Sequence, residues 1–446
     1  MKVAKFGGSS LASASQIRKV FDIVKADPTR KFIVVSAPGK RDAADTKVTD
    51  ALISYHTAHK NNEAVKPHQD WIIARYQSIA DELDVPEIMP EITNNLLNLA
   101  KFPVSNPFTY DSFLSAGEDN SAKLIAAFFT KNGLNARYVS PQDAGIRVSE
   151  EPGQATLLPH SYEQINYLNE LPETLIIPGF FGVTEKGEIC TFSRGGSDIT
   201  GSIIAAGVKA DLYENFTDVD GICAVNPNIV PNSVIIEEVT YREMRELASA
   251  GFAVLHDEAL IPAARAAVPM VLKNTNNPAA PGTRIVPEWT IDMPVIGVAS
   301  STGFAIVKLN KYLLQRELGF VRKFFEIFEQ LGIHFEAITT GIDDLSVLVR
   351  EIYLTPPVEE ALIEAITESL RPDDLKIVKN LAVVAAVGEE IRQQTHITGR
   401  ATNALWKQNI KIETLMQGAS EVSLLFILAE KDEKRAIRAL YKEFFI

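Results

Sequence analysis

The chain has 446 residues with 46% hydrophobic and 23% charged side chains, enough for two to four domains with real cores. Its net charge of −13 disfavours nucleic acid or an anionic membrane as a partner. Two cysteines, Cys190 and Cys223, exclude a disulfide scaffold, and no apolar run approaches the ~18 residues of a membrane span or forms a leader, so a reducing cytoplasm is expected.

In chain order, Lys2–Phe6 reads as a short strand followed by "GGSS", and helix follows from Leu11. Ser13 with Gln16 fits a capping box, and Ile17, Val20, Phe21 and Val24 share one helical face. The glycine pair therefore lies in a strand-to-helix turn, where backbone N–H groups favour an anion and the absent Cβ lets a phosphate approach closely. A tight turn that only needs φ > 0 would read the same. Further strand-like runs are 31–39, 136–140, 174–183, 210–218 and 268–274, with helical patterns between them. That alternation predicts an α/β fold, a mainly parallel sheet sandwiched by helices. Residues 61–110 break it with proline, asparagine and polar helix, and read as a helical insertion.

A second glycine-rich stretch, "SRGGSD" (193–198), again joins an apolar run to a helix, with Asp198 in or beside its first turn. An acid there can simply complement the helix dipole. Arg194 beside two glycines suggests in addition a clamp for a substrate carboxylate. "TDVDG" (217–221) puts Thr217 and Asp218 at a strand end, where such sheets carry their crevice, although a plain turn also uses Asp-Gly. GxGxxG, GxxxxGK[ST] and metal-spaced histidines are absent, and His256 and His334 read as structural.

"NTNNPAAPGTRIVPEW" (274–289) reads as a domain boundary, giving domains 1–285 and 290–446. Within the second, "EAITTGIDDLS" (336–346) and "ETLMQGASEVS" (413–423) repeat Glu, Gly and Ser at the same spacing. Each copy follows an amphipathic helix near a glycine, Gly319 or Gly399. The repeat predicts two α+β ferredoxin-like modules, 302–375 and 376–446, the second completed by a strand at 294–300.

The ordered set "KFGGSS", "SAGE", "SRGGSD", "TDVDG" and "VLH", with a duplicated C-terminal module, resembles the aspartate kinases: an amino-acid kinase domain followed by two ACT domains. The resemblance spans essentially the whole chain. It implies ATP-dependent phosphorylation of the L-aspartate β-carboxylate to 4-phospho-L-aspartate, at the entry to lysine, threonine and methionine synthesis, with Mg2+. It implies Lys5 and Asp198 as catalytic residues, Asp198 orienting either Lys5 or a magnesium ligand. Ser36, Thr49, Glu118 and Arg194 would bind substrate, Glu118 taking the α-ammonium and Arg194 the carboxylate. Lys5, Gly7, Gly8, Ser9, Thr217 and Asp218 would bind the nucleotide. "TDVDGICAVNPN" departs from the usual TDVxGIYTxDPR: Cys223 replaces an aromatic, and Asn226 and Asn228 replace an acid and a base. Ala253 stands where many members carry a nucleotide-binding lysine, and "GKRDAAD" lengthens the loop before Thr49. The alternatives are another kinase of the same superfamily and a non-catalytic amino-acid sensor. In the first repeat Gly319, Phe320, Val321, Glu336, Thr339 and Thr340 form the expected effector site, for lysine or else threonine. ACT modules imply a homo-oligomer, dimer or tetramer.

Overall fold

The computed structural model describes residues 1–193, 195–252, 255–288, 293–417 and 420–446, with Arg392 described by its backbone only. The chain divides into two compact units: Met1–Ile222 with Ile235–Ala248 and Ala253–Ile291, and Cys223–Val234 with Ser249–Phe252 and Asp292–Ile446.

In the first unit the strands are β1 (Lys2–Phe6), β2 (Arg30–Val35), β3 (Ala136–Tyr138), β4 (Thr174–Pro178), β5 (Phe181–Val183), β6 (Ile189–Thr191), β7 (Leu212–Thr217), β8 (Glu238–Thr240), β9 (Met270–Asn274) and β10 (Thr283–Val286). Eight of them form one sheet in the order β3-β4-β2-β1-β7-β9-β10-β8, parallel except between β9 and β10. β5 and β6 form a separate antiparallel hairpin. The helices are α1 (Ala14–Ala26), α2 (Val48–Lys60), α3 (Lys66–Glu82), α4 (Met89–Asn98), α5 (Thr109–Lys131), α6 (Ser161–Asn166), α7 (Gly196–Gly207), α8 (Tyr241–Ser249) and α9 (Ile261–Arg265). α1 starts where the cap was expected: Ser13 Oγ accepts from the Gln16 N–H, and Ile17, Val20, Phe21 and Val24 are buried. They share a core with α2, α3, α4 and α5, so the 61–110 insertion packs on the α1 side of the sheet.

Three expectations need correction. The run 174–183 is two strands, because Phe180 takes a left-handed φ of +79° and turns the chain out of the main sheet. The span 274–289 is not wholly linker, since Thr283–Val286 is β10, hydrogen-bonded to β8 and β9. The first unit is also not one unbroken span to 285: Val225 and Ile229 are buried in the core of the second unit, against Val295, Val298 and Ala382.

The second unit contains β11 (Gly297–Asn310), α10 (Phe320–Gln330), β12 (Phe335–Thr340), β13 (Asp344–Arg350), α11 (Pro356–Leu370), β14 (Asp374–Val387), α12 (Ile397–Lys407), β15 (Ile412–Gln417), β16 (Ser423–Ala429) and α13 (Glu433–Phe445). The sheet order is β12-β13-β11-β14-β16-β15, all antiparallel. β11 and β14 are each long enough to serve two halves. Phe304–Asn310 pairs with β13, while Leu381–Val387 of β14 pairs with β16. Each half covers its strands with two helices and has its own core, one around Phe320, Phe324 and Leu362, the other around Ile397, Leu405 and Ile437. The repeat is legible here: Glu336 and Glu413 lie in β12 and β15, Ser346 and Ser423 in β13 and β16.

Candidate active site

β1 is the central strand that brings its residues to the site, flanked by β2 and β7. Lys5 is 7% exposed, and its Nζ lies 2.6 Å from Asp198 Oδ1. It also donates weakly to Asn215 Oδ1 at 3.4 Å, while Asn215 Nδ2 donates to the same Asp198 oxygen at 2.8 Å. Asp198 lies in the first turn of α7, whose N-cap, Gly195, has φ +76°. A Cβ at Gly195 would be strained by that φ and would also sit 2.8 Å from His256 Cβ, so glycine is required twice over. His256 is thus a packing residue against this turn. The Gly7 position is close to the same cation, since a Cβ there would lie 3.5 Å from Lys5 Nζ. A buried ammonium therefore sits beneath the glycine turn, steered by a carboxylate and an amide.

The turn itself is Gly8–Leu11, one short 3-10 turn ahead of α1, and Ser9 in it is exposed. Gly7 N–H donates to Phe216 O at 3.1 Å, which sets the turn beside Thr217, the next residue of β7. Thr217 is half-buried and donates to the exposed Asp218 at 3.1 Å. On the other side, Ser36 N–H donates to Phe6 O at 3.2 Å and Gly39 N–H to Gly8 O at 2.8 Å. Thr49 is half-buried in the first turn of α2.

Glu118 enters from the middle of α5, buried at 6% exposure. Its carboxyl accepts from the Ala37 amide, while Oε2 has no hydrogen-bond partner among the described residues. Burial pushes its pKa up to about 8, only partly opposed by backbone hydrogen bonds. Among the described residues this carboxyl oxygen is buried without a partner, a position that a cationic group would satisfy. Lys5, Gly7, Gly8, Ser36, Glu118, Asp198 and Thr217 are thus joined through this short chain of contacts, while Arg194 and Ala253 lie outside the described residues.

Sequence reasoning passed over two residues that adjoin this cluster. Asn215 is 2% exposed in a central strand, and adjacent polar residues there, Glu214 and Asn215, are the signal that could have found it. Glu214 is engaged by Arg30 through bonds of 2.5 and 2.9 Å, which leaves Asn215 for the site. Phe180 is the other, an aromatic at positive φ beside the α7 terminus: its N–H donates to Thr200 Oγ1, and a Cβ on Gly196 would fall 2.4 Å from its ring.

The amino acid kinase family model matches residues 1–274, more than half of the chain, and an ACT domain model matches residues 384–444. Aspartokinase 3 of Bacillus subtilis is 48% identical over 448 aligned residues, covering 100% of this chain and 99% of the relative. The chain belongs to the amino acid kinase family, as an aspartokinase. The aspartokinase fold is shared with the aspartate kinase of Clostridium acetobutylicum, 34% identical with a TM-score of 0.87 and full coverage of both chains. Escherichia coli aspartokinase III also has this fold at 24% identity with full coverage of both chains. Its complex with aspartate and ADP gives a TM-score of 0.81, and its complex with lysine and aspartate 0.80. As an aspartokinase, the protein transfers phosphate to aspartate, and it carries an ACT domain. Among the described residues no helix is long and apolar enough to cross a membrane.

In the second unit Gly319 has φ +77° and caps α10, Phe320 is buried and Val321 exposed. Two groups expected to receive an effector have partners within the chain. Phe320 N–H donates to Glu317 O at 3.2 Å, and Glu336 accepts from Arg350 Nε at 2.9 Å. Thr339 and Thr340 end β12, paired with Ser346 and Leu345.

Proposed function

We propose that this aspartokinase takes ATP at the Gly7–Gly8 turn and L-aspartate at Glu118, and joins them at Lys5. The β-carboxylate is ionised at neutral pH, so its oxygen attacks the γ-phosphorus without a general base. The bond from that phosphorus to the β,γ-bridging oxygen breaks, and ADP leaves with the electron pair. What the chain must do is hold two anions together and stabilise charge spreading over the phosphoryl oxygens. Lys5 donates to those oxygens, with the Gly7, Gly8 and Ser9 turn and Thr217 and Asp218 beside it. Asp198, paired with Lys5, orients that lysine. Ser36, Thr49 and Arg194 complete the aspartate side, and Glu118 takes the α-ammonium.

The observation that carries this reading is the Lys5 ammonium, 2.6 Å from Asp198 and directly beneath the glycine turn. Among the described residues no cluster of three His, Cys, Asp or Glu could hold a metal ion by itself. Mg2+ commonly keeps its waters and binds through phosphates with one or two carboxylates. It would arrive on the ATP phosphates and neutralise charge there.

The second unit is read as two ACT modules, 302–375 and 376–446, the second completed by the strand at 294–300. Two separate cores and the matching strand order in each half support this. L-Lysine is the proposed effector of the first module, with threonine as the alternative. Exposed Leu318, Tyr312, Leu313 and Ile342 in that module support self-association there, as a dimer or tetramer in the cytoplasm. ADP formation measured with and without L-aspartate, glutamate and N-acetylglutamate tests the assignment. Aspartate alone should drive turnover; equal turnover with another acceptor contradicts it.

A further inference from the structure

Arg75 lies in α3, inside the 61–110 insertion, and is 4% exposed. Its guanidinium spans three backbone segments. Nη1 donates to Asp45 Oδ2 at 2.9 Å, and Nη2 donates to both Ala12 O and Gly39 O at 2.9 Å. Ala12 closes the turn that begins at Gly7–Gly8. Gly39 touches that turn directly: a Cβ on it would fall 2.6 Å from the Gly8 carbonyl carbon. Asp45 anchors the long loop that leads into α2 and Thr49, and it is gripped a second time by Arg41 at 2.9 and 3.0 Å.

A buried guanidinium is costly to desolvate, and an aliphatic side chain would pack α3 more cheaply. What an aliphatic group cannot supply is a planar fork of donors that ties separate carbonyls and a carboxylate into one rigid arrangement. We propose that Arg75 is a positioning residue, which fixes the glycine turn relative to the start of the Thr49 helix by clamping Ala12, Gly39 and Asp45 together. The inference rests on the reading of those two loops as the ATP and aspartate loops. It also gives the helical insertion a role, that of carrying the clamp. Misplacement of reacting groups by about 1 Å can cost ~10²-fold in rate, so the clamp matters without any contact to substrate.

The test uses the full-length protein and the variants Arg75→Lys and Asp45→Asn. Lysine keeps the charge beside Asp45 but cannot reach all three acceptors, and Asp45→Asn removes only one arm. Arg75→Lys should lower kcat about 10- to 100-fold and raise KM for both ATP and aspartate, with Asp45→Asn shifting the same constants less. Hydrogen–deuterium exchange in the substrate-free protein should rise in segments 7–12 and 36–46. A lower melting temperature and lower total activity with both KM values unchanged would mean a loss of folded molecules only, and would overturn the proposal. So would unchanged exchange with unchanged kinetics. Faster exchange with unchanged kinetics would instead overturn the assignment of the two loops to substrates. If Arg75→Lys does not fold, Asp45→Asn carries the same test.

Discussion

Lys5 and Asp198 meet at 2.6 Å although they arrive from a central strand and from the first turn of α7, and their side chains are 9% and 16% exposed. The catalytic role proposed for this pair can be separated from its part in stability. Removing one partner of a nearly buried ion pair leaves a charge uncompensated, which typically costs about 3–5 kcal/mol. Asp198→Asn should therefore lower the melting temperature and reduce kcat together. The double variant Lys5→Met/Asp198→Asn should regain most of the stability and none of the activity. Thermal unfolding beside steady-state kinetics checks this; recovery of turnover in the double variant would show that the pair is only structural.

Glu118 predicts a pH dependence. Burial raises its pKa from 4.5 to about 8 in the folded chain, so near neutrality much of it is protonated until a cation arrives. The aspartate ammonium favours the ionised form, so KM for aspartate should fall as pH rises from 7 towards 9, with release of a proton on binding. Glu118→Gln should show a higher and nearly pH-independent KM for aspartate with KM for ATP little changed. The same shift acts on stability with a definite sign. The folded state holds this proton more tightly, so the contribution is full below pH 4.5 and declines as pH rises to about 8. Unfolding of wild type and Glu118→Gln across that window should diverge in this direction.

Regulation offers a third prediction. The register that sets Phe335 opposite Val349 brings Glu336 to Arg350, whose Nη1 also donates to Ser301 at 2.9 Å. An effector ammonium at Glu336 must compete with that guanidinium, so binding would rearrange the β12–β13 edge. Glu336→Ala should weaken lysine inhibition about 5- to 150-fold, matching a coupling of ~1–3 kcal/mol, with uninhibited kcat nearly unchanged. Titration of lysine and of threonine against both proteins decides between the effectors. Unchanged lysine inhibition in the variant removes this site from consideration.

Where local chemistry decides structure, the sequence was readable. Ser13 and Gln16 marked the start of α1, the apolar runs at 31–39 and 210–218 became β2 and β7, and a repeat of three residues located two equivalent hairpins. Relationships across the chain were not readable. Arg75 and Gly39 are 36 residues apart, and Asn215 serves Lys5 from a strand 210 residues away. The hairpin after Phe180 was hidden because Pro178 and Gly179 sit inside an apolar run, and only the left-handed turn shows where it breaks. Val225 and Ile229 lie within the span expected for the first domain, yet they complete the core of the second unit, with Val298 N–H donating to Ala224 O at 2.7 Å.

The central claim is that the Lys5 ammonium stabilises the transferring phosphoryl group, and aspartate-dependent ADP formation by Lys5→Met tests it most directly. Loss of one preorganised donor to a developing anion typically costs ~3–4 kcal/mol, so kcat should fall by roughly 10²-fold or more. Circular dichroism of the same preparation establishes that the variant is folded. Near-normal aspartate-dependent turnover in that folded variant would contradict the account.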